Sequence, residues 1–178
     1  MRRALAEALH HTAHRHAFGK RLIDQPLMQN VLADLALEAE AALAISLRIA
    51  YALDNSDDPR QAALVRSATG IGKYWICKRT IQHTYEAMEC LGGVGYVEES
   101  VACRLYREAP VNAIWEGSGN VQCLDLLRVL NREPDTLKAL LAELEQARGR
   151  HPLFDARLDA LLVDLANQQD IEMRARQL

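Results

Sequence analysis

Apolar residues recur every three or four positions over much of this chain, which is the spacing of one face of an α-helix. The longest such stretch starts after Pro26, and proline is common at the first position of a helix. We therefore predict a long helix that begins at Pro26 and ends before a polar turn at residues 55–59. The predicted apolar face of this helix comprises Leu27, Val31, Leu35, Ala39, Leu43, Leu47 and Ala50.

The rest of the chain repeats this pattern in segments separated by turns rich in glycine, proline or polar residues. Four further helices are predicted over about residues 2–16, 59–90, 98–107 and 121–131. Another helix begins at Pro134, and the tail over residues 152–176 is again amphipathic. No stretch shows the alternation of a β-strand. We predict an all-α fold: an antiparallel helical bundle over residues 1–133, followed by a helical C-terminal extension over 134–178.

Composition narrows the class of protein. The chain has 178 residues, of which 49% are hydrophobic and 5% aromatic, so one domain with an aliphatic core is expected. A net charge of −3 disfavours general nucleic-acid binding. The four cysteines form no Cys-x-x-Cys pair, and no apolar run is long enough to span a bilayer. These features predict a soluble cytoplasmic protein with reduced thiols and no membrane association.

Both ends of the sequence lie within helical patterns. The first helix starts at Met1 without a capping residue, and the apolar pattern of residues 171–175 has no glycine or proline after it. We therefore expect a domain of a longer polypeptide, with partner domains before residue 1 and a truncated C-terminal extension.

The segment from Trp115 to Asn120 combines an acid, two glycines and the start of a predicted helix. Desolvation by the indole of Trp115 would favour the protonated form of Glu116 and tune this carboxylate toward general-base work. The glycines permit close approach of a ligand, and the first amides of a helix bind anions. One interpretation is a base beside an anion-binding turn. The other is an ordinary helix cap, in which Ser118 or Asn120 accepts hydrogen bonds from those amides.

Four histidines near the N-terminus invite a metal interpretation. His10 and His14 are one helical turn apart and share a face. No third ligand follows at a suitable spacing, and there is no His-Glu-x-x-His motif. We therefore predict no metal site and assign these histidines to solvent or to an interface.

Five short motifs occur in a fixed order along the chain. They are Arg15-x-x-Phe18-Gly19, Leu32-Ala33-Asp34, Leu91-Gly92-Gly93-Val94-Gly95-Tyr96, Arg107-Glu108-Ala109 and Trp115-Glu116-Gly117-Ser118. Together they resemble the C-terminal helical domain of the acyl-CoA dehydrogenases, over about residues 1–131. The Trp-Glu-Gly-Ser-Gly-Asn segment and the helical tail beyond Pro134 are most similar to the alkylation-response branch of that family.

The resemblance implies an FAD-dependent oxidoreductase of fatty acid metabolism. It assigns Glu116 as the catalytic base that removes the α proton of an acyl-CoA thioester, while a hydride leaves the β carbon for the flavin. It also implies that Arg15 pairs with the FAD pyrophosphate of a neighbouring subunit and that Phe18 flanks the flavin or the adenine. Two further segments are implied to contact FAD: Glu89, Cys90, Leu91, Gly92 and Gly93 across the subunit interface, and Ser118, Gly119 and Asn120 within one subunit.

Several residues depart from the family pattern. Glu89 stands where a glutamine is common, and an acid near a pyrophosphate would repel it unless it is turned away, paired or protonated. Pro26 stands where a second flavin-contacting glutamine is expected, and its neighbour Gln25 could substitute. Trp115 replaces a tyrosine and Ser118 a threonine. These changes bear on the details of cofactor contact.

The resemblance also implies a homo-oligomer, either a dimer or a tetramer, and an electron-transfer flavoprotein as electron acceptor. This chain alone should not catalyse, because in the family the flavin and the thioester lie between this domain and preceding domains. Two other functions stay open: a flavoprotein associated with DNA, and a helical oligomerisation domain without catalysis. Against DNA binding, Arg128, Arg132 and Lys138 are interspersed with acidic residues and form no basic stripe.

Overall fold

A computed structural model describes residues 1–178 and contains nine α-helices. Their bounds are α1 Arg2–His14, α2 Pro26–Asp54, α3 Pro59–Glu89, α4 Gly93–Tyr96, α5 Val101–Asn112, α6 Gly119–Arg132, α7 Pro134–Glu145, α8 Pro152–Ala166 and α9 Ile171–Arg174. The predicted all-α fold is confirmed. None of these helices combines the length and the apolarity that a membrane span requires.

Several helix bounds differ from the predicted ones. Helix α5 begins later than expected, because the Ser100 side chain caps it by accepting a hydrogen bond from the Ala102 amide at 3.2 Å. Helix α6 begins at Gly119, two residues earlier than expected. The motif at residues 91–96, called the glycine turn below, contains the single helical turn α4, and the amphipathic tail is broken into α8 and α9.

Helices α2 and α3 run antiparallel. The Nε2 atom of His83 lies 3.1 Å from the backbone oxygen of Leu35, and the Arg79 guanidinium pairs with Glu38. Residue numbers therefore rise along α2 as they fall along α3, which fits helices joined by the short polar turn between Asp54 and Pro59. Both helices have proline at their first position, where its missing N–H costs no intrahelical hydrogen bond.

The connection after α1 contains a small β-hairpin, and the expectation of no strands is wrong there. Strand β1 is His16–Ala17 and strand β2 is Lys20–Arg21, paired antiparallel with Ala17 opposite Lys20. The two loop residues have positive φ, 52° at Phe18 and 84° at Gly19, as a two-residue type I′ turn requires. Strands this short show no alternation in a sequence, so periodicity does not reveal them.

The chain forms two compact units, and each combines two separate stretches of sequence. Unit 1 consists of Met1–Ser46 and Trp75–Glu116, and unit 2 consists of Leu47–Tyr74 and Gly117–Leu178. The core of unit 1 is aliphatic and contains two cysteines, as the composition suggested. Its buried members are Ala4, Ala8, Leu32, Leu35, Ala87, Met88, Cys90, Leu91, Ala102 and Cys103.

In unit 2, a smaller apolar cluster lies between α6 and the tail. Its buried residues are Cys123, Leu127 and Ala175, with Tyr74, Ile171 and Leu178 packed against them. An ion pair in the same unit connects α2 and α7: the Arg48 guanidinium donates to Glu143 at 2.8 Å and also to the Gln61 side chain at 3.1 Å.

The apolar face predicted for α2 is only partly the buried one. Leu35 and Ala39 are buried, whereas Leu27 is 80% exposed and Leu47 is 61% exposed. Leucine and alanine surround most of this helix, so the sequence alone does not determine which side is buried. Packing determines it, and the buried positions of α2 are Leu32, Leu35, Ala39, Ala42 and Ala52.

Candidate functional site

A cleft in unit 1 brings together two segments that are far apart in the sequence. Arg15 follows the last residue of α1, and residues 89–94 form the end of α3 and the glycine turn. The cleft has a volume of about 670 Å³. Its lining residues are His11, Arg15, Leu22, Met28, Glu89, Cys90, Leu91, Gly92, Gly93, Val94 and Val97.

The backbone of Arg15 is fixed on both sides. Its amide donates to the backbone oxygen of His11 at 2.8 Å, and its carbonyl oxygen accepts from the amide of Leu22 at 2.8 Å. The side chain is exposed and takes no part in the ion pairs of the chain. A rigidly attached, exposed guanidinium at the edge of a cleft is suited to bind an anion in bidentate fashion.

Glu89 lines the same cleft, where an acid would oppose an anion. The charge of Glu89, and then a hydrogen bond with its side chain, raise the pKa of the Tyr85 phenol. Tyr85 lies one helical turn before Glu89 on α3, so the two side chains share a face of that helix.

The glycine turn leaves open space beside two of its residues, Gly92 and Gly93. A Cβ added at Gly95 would lie 2.4 Å from the backbone oxygen of Met88, so the packing of unit 1 itself requires glycine there. Gly92 has φ of 63°, which favours glycine for its backbone conformation. Gly93 has neither constraint, because a Cβ there would meet no atom within 4 Å and its φ is not positive. The space beside Gly93 is open to a second molecule or subunit.

Cys90 and Leu91 contribute to the cleft from the core. Cys90 is 5% exposed, and burial raises the pKa of its thiol to about 11. The thiol is therefore protonated at neutral pH and is a poor nucleophile. Both residues pack in the core of unit 1, which holds the glycine turn against α1.

Phe18 lies at the tip of the hairpin and is 94% exposed. An aromatic side chain rarely has φ of 52°, and this left-handed conformation costs about 1–2 kcal/mol for a residue other than glycine. An exposed phenyl ring held by a strained backbone stabilises nothing in its own chain. Such a residue is typical of a binding site. Phe18 is not among the residues that line the cleft of Arg15.

Glu116 also has a left-handed backbone, with φ of 55°. It follows α5 in unit 1 and is exposed, as is the neighbouring indole of Trp115, which is 59% exposed. The dry aromatic environment expected around this acid is therefore not formed by the chain alone. Positive φ at a residue other than glycine is again the kind of backbone strain found at functional sites.

The turn after Glu116 is fixed by contacts within unit 2 that sequence reasoning missed. The Nζ atom of Lys73 donates to the backbone oxygen of Gly117 at 2.6 Å, and the Gln122 side chain donates to the same oxygen at 3.3 Å. A Cβ at Gly117 would lie 2.5 Å from the Gln122 amide nitrogen, and φ there is 107°. Lys73 is distant in sequence, so no local signal could have identified it.

The start of α6 differs from an ordinary capped helix. Ser118 is the N-cap residue, yet its side chain makes no capping hydrogen bond. The Oδ1 atom of Asn120 accepts a hydrogen bond from Nε of Arg176 at 2.7 Å. The capping interpretation is therefore wrong for Ser118. The Ser118 side chain leaves the first backbone amides of α6 without a capping hydrogen bond.

The sequence matches the model of one protein family, the acyl-CoA dehydrogenase C-terminal domain, over residues 1–131. A similar protein is AidB of Escherichia coli (strain K12), which is 48% identical over 155 residues. The match covers 87% of this chain but 29% of AidB. The chain thus spans less than a third of the length of this relative.

Two solved structures are similar over nearly the whole chain, including the tail beyond residue 131. The Caenorhabditis elegans protein ACDH-11, in complex with C11-CoA, has a TM-score of 0.89 at 27% identity; the match covers 98% of this chain and 33% of that one. The apo form of Bd2924 also has a TM-score of 0.89, at 32% identity, over 99% of this chain and 35% of that one. The chain belongs to the acyl-CoA dehydrogenase family and corresponds to the C-terminal domain of its members.

Proposed function

We propose that this chain acts as the C-terminal domain of an FAD-dependent acyl-CoA dehydrogenase, an oxidoreductase that introduces a double bond next to the thioester of an acyl-CoA. One observation carries the proposal: Arg15 and residues 89–93, which the family resemblance assigns to FAD, line one cleft although they are distant in sequence. C11-CoA, bound to the related ACDH-11, supports an acyl-CoA as the substrate class.

The residues of the cleft fit the proposed cofactor. Arg15 would pair with its pyrophosphate, and the open space at Gly93 would admit it close to the backbone. Phe18 would contribute an aromatic surface to a flavin or adenine of a neighbouring subunit. When bound, FAD would supply the hydride acceptor. The start of α6, with Ser118, Gly119 and Asn120, would hold negative charge through its first amides.

Glu116 would remove the α proton of the substrate. A thioester acidifies its α carbon only in part, so the base must be ionised, close to the proton and shielded from water. Because Glu116 is exposed in this chain, we propose that the acyl group and the other domains of the enzyme exclude water from it. The strained backbone at Glu116 would direct the carboxylate toward the substrate.

Several properties of the whole enzyme follow as proposals. The chain spans about a third of the related structures, so the flavin ring and the thioester require further domains and this chain alone should be inactive. A cleft that serves the FAD of a neighbouring subunit requires a homo-oligomer. From the family resemblance, we propose an electron-transfer flavoprotein as the acceptor of the reducing equivalents.

Replacement of the base tests this function in the full-length enzyme. Glu116→Gln should leave FAD bound, seen in the flavin absorbance, and abolish exchange of the substrate α proton with deuterated water. Glu108→Gln is the matched control, because Glu108 is an exposed acid on α5 that makes no ion pair, and its exchange rate should stay normal. Normal exchange in Glu116→Gln would disprove the assignment of the base.

The alternative of DNA association gains no support from the residues of this chain. The Arg128 guanidinium lies 3.3 Å from the carboxylate of Asp125, and the Lys138 ammonium lies 2.9 Å from that of Asp135. Basic side chains paired with neighbouring acids offer little attraction to phosphates. A salt titration of the full-length protein with duplex DNA would detect binding through residues outside this chain.

A further inference from the structure

One histidine of the N-terminal group differs from its neighbours. His11 lines the cleft that contains Arg15, one helical turn before it on α1, and is partly buried. His10 and His14 are exposed and interact with each other, since their rings are 4.5 Å apart and Nδ1 of His14 lies 2.7 Å from the backbone oxygen of His10. His11 is therefore the histidine of α1 that shares a cavity with the proposed anion-binding arginine.

Burial and the neighbouring positive charges disfavour protonation of His11 in the free protein. His10 precedes His11 on α1, Arg15 directly follows that helix, and Glu89 lines the cleft from the end of α3. The other cleft residues named above are apolar side chains, Cys90 and glycines. Burial, then Arg15 and then His10 lower the pKa of His11 below its ordinary value. At neutral pH, the imidazole is therefore mostly neutral.

We propose that His11 is a second anion-binding residue of this cleft, which takes a proton from solvent when the pyrophosphate of FAD binds beside Arg15. The inference rests on the proposed function, because that function places a pyrophosphate in the cleft. Binding of each FAD would be accompanied by the uptake, on average, of a fraction of one proton by His11. His11 would then donate a charge-assisted hydrogen bond next to the guanidinium.

The physical reason is the reversal of the local field. Without a ligand, the positive charge of Arg15 opposes a second positive charge on His11. Two negative charges on the pyrophosphate outweigh that repulsion and favour the imidazolium. The pyrophosphate itself keeps its charge across the neutral range, so the change of protonation falls on the protein. Since the bound state holds more protons than the free state, FAD affinity must increase as the pH decreases.

The experiment uses the full-length enzyme after removal of FAD. FAD is titrated back, with flavin fluorescence as the signal. Between about pH 8 and about pH 6, we expect the dissociation constant to decrease about three- to tenfold, as a titrating histidine permits. In His11→Gln this pH dependence should disappear. In His14→Gln, the matched control with an exposed histidine of the same helix, it should stay as in the unmodified enzyme.

Calorimetry gives an independent readout. At neutral pH, the heat of FAD binding should depend on the ionisation enthalpy of the buffer in the unmodified enzyme, because protons are taken up, and should not depend on it in His11→Gln. His11→Lys carries a permanent charge and should bind FAD without pH dependence. This second variant keeps the test valid if the glutamine variant does not fold, which circular dichroism would reveal.

Failure of this inference can be distinguished from failure of the proposed function. If Arg15→Ala weakens FAD binding strongly but His11→Gln retains the pH dependence and the proton uptake, the role of His11 is overturned and the cleft is still a cofactor site. If Arg15→Ala leaves FAD affinity unchanged, the cleft does not hold the pyrophosphate and both proposals fail. Loss of the pH dependence of FAD binding in His11→Gln, but not in His14→Gln, supports the proposed role of His11.

Discussion

Arg176 donates a 2.7 Å hydrogen bond from Nε to Oδ1 of Asn120, which connects the C-terminal tail to the first turn of α6 within unit 2. The bond leaves the amide group of Asn120 as a donor for another partner. Ala175 beside it is buried against Cys123 and Leu127. The tail thus contacts α6 through a polar and an apolar contact at adjacent residues.

We predict a measurable coupling between these two residues. Asn120→Ala and Arg176→Ala should each lower the free energy of unfolding modestly. The double variant should lower it by less than the sum of the two single effects, and the difference should be about 0.5–1 kcal/mol, the value for an exposed charge-assisted pair. Urea unfolding of the four proteins measures this. Strict additivity would mean that the hydrogen bond contributes nothing to stability.

A pair of glycine substitutions separates packing from ligand space. Gly95→Ala should destabilise the chain by about 2–4 kcal/mol, because the new methyl group would collide with the backbone at Met88. Gly93→Ala should change stability by less than about 0.5 kcal/mol, since its methyl group meets no atom of the chain. In the full-length enzyme, however, Gly93→Ala should weaken FAD binding. Thermal unfolding and FAD titration test the two effects, and normal FAD affinity in Gly93→Ala would remove Gly93 from the cofactor site.

The strained hairpin tip predicts a conflict between stability and binding. Phe18→Asn should stabilise the chain by about 0.5–1 kcal/mol, because asparagine adopts positive φ more easily than phenylalanine. The same change should reduce FAD retention in the full-length oligomer. Tyr96→Asn is the control, an aromatic residue that is 76% exposed but has an ordinary backbone, and it should not stabilise. Thermal denaturation distinguishes the two variants.

The pair of Arg48 and Glu143 predicts a pH dependence of stability. The hydrogen bond from Arg48 lowers the pKa of the Glu143 carboxyl in the folded chain. The contribution of the pair is therefore complete above the pKa of glutamate in the unfolded chain, about 4.3, and is lost as the pH falls through the lower folded value. Glu143→Gln should cost about 1 kcal/mol at neutral pH and less in acid. Urea unfolding at a series of pH values checks this, and an equal cost at both ends of the series would contradict it.

The sequence predicted the helices well where local chemistry defines them. Pro26 and Pro59 are helix starts in the structure, as are Pro134 and Pro152, because proline at the first helical position depends on neighbouring residues alone. The buried side of α2 was less predictable, since Leu47 and Leu35 look alike in a helical pattern and only the packing of α3 distinguishes them.

For the candidate site, the sequence supplied the residue types, the family resemblance supplied their proposed roles, and the structure added their surroundings. The acid at Glu116 and the glycines that follow were evident from composition and spacing. The contact from Lys73 to Gly117 was not, because it depends on a fold that brings residues 44 positions apart together. The hairpin that exposes Phe18 was also missed, since its strands have only two residues each.

The interrupted sequence of unit 1 has a consequence for biosynthesis. Its first stretch ends at Ser46 and its second begins at Trp75, so the partners of the N-terminal helices leave the ribosome only after the whole intervening segment has been made. During that interval, α1 and the first half of α2 lack the α3 and α5 residues that complete their core, such as Ala87 and Ala102, so the nascent chain keeps apolar surface that chaperones can bind.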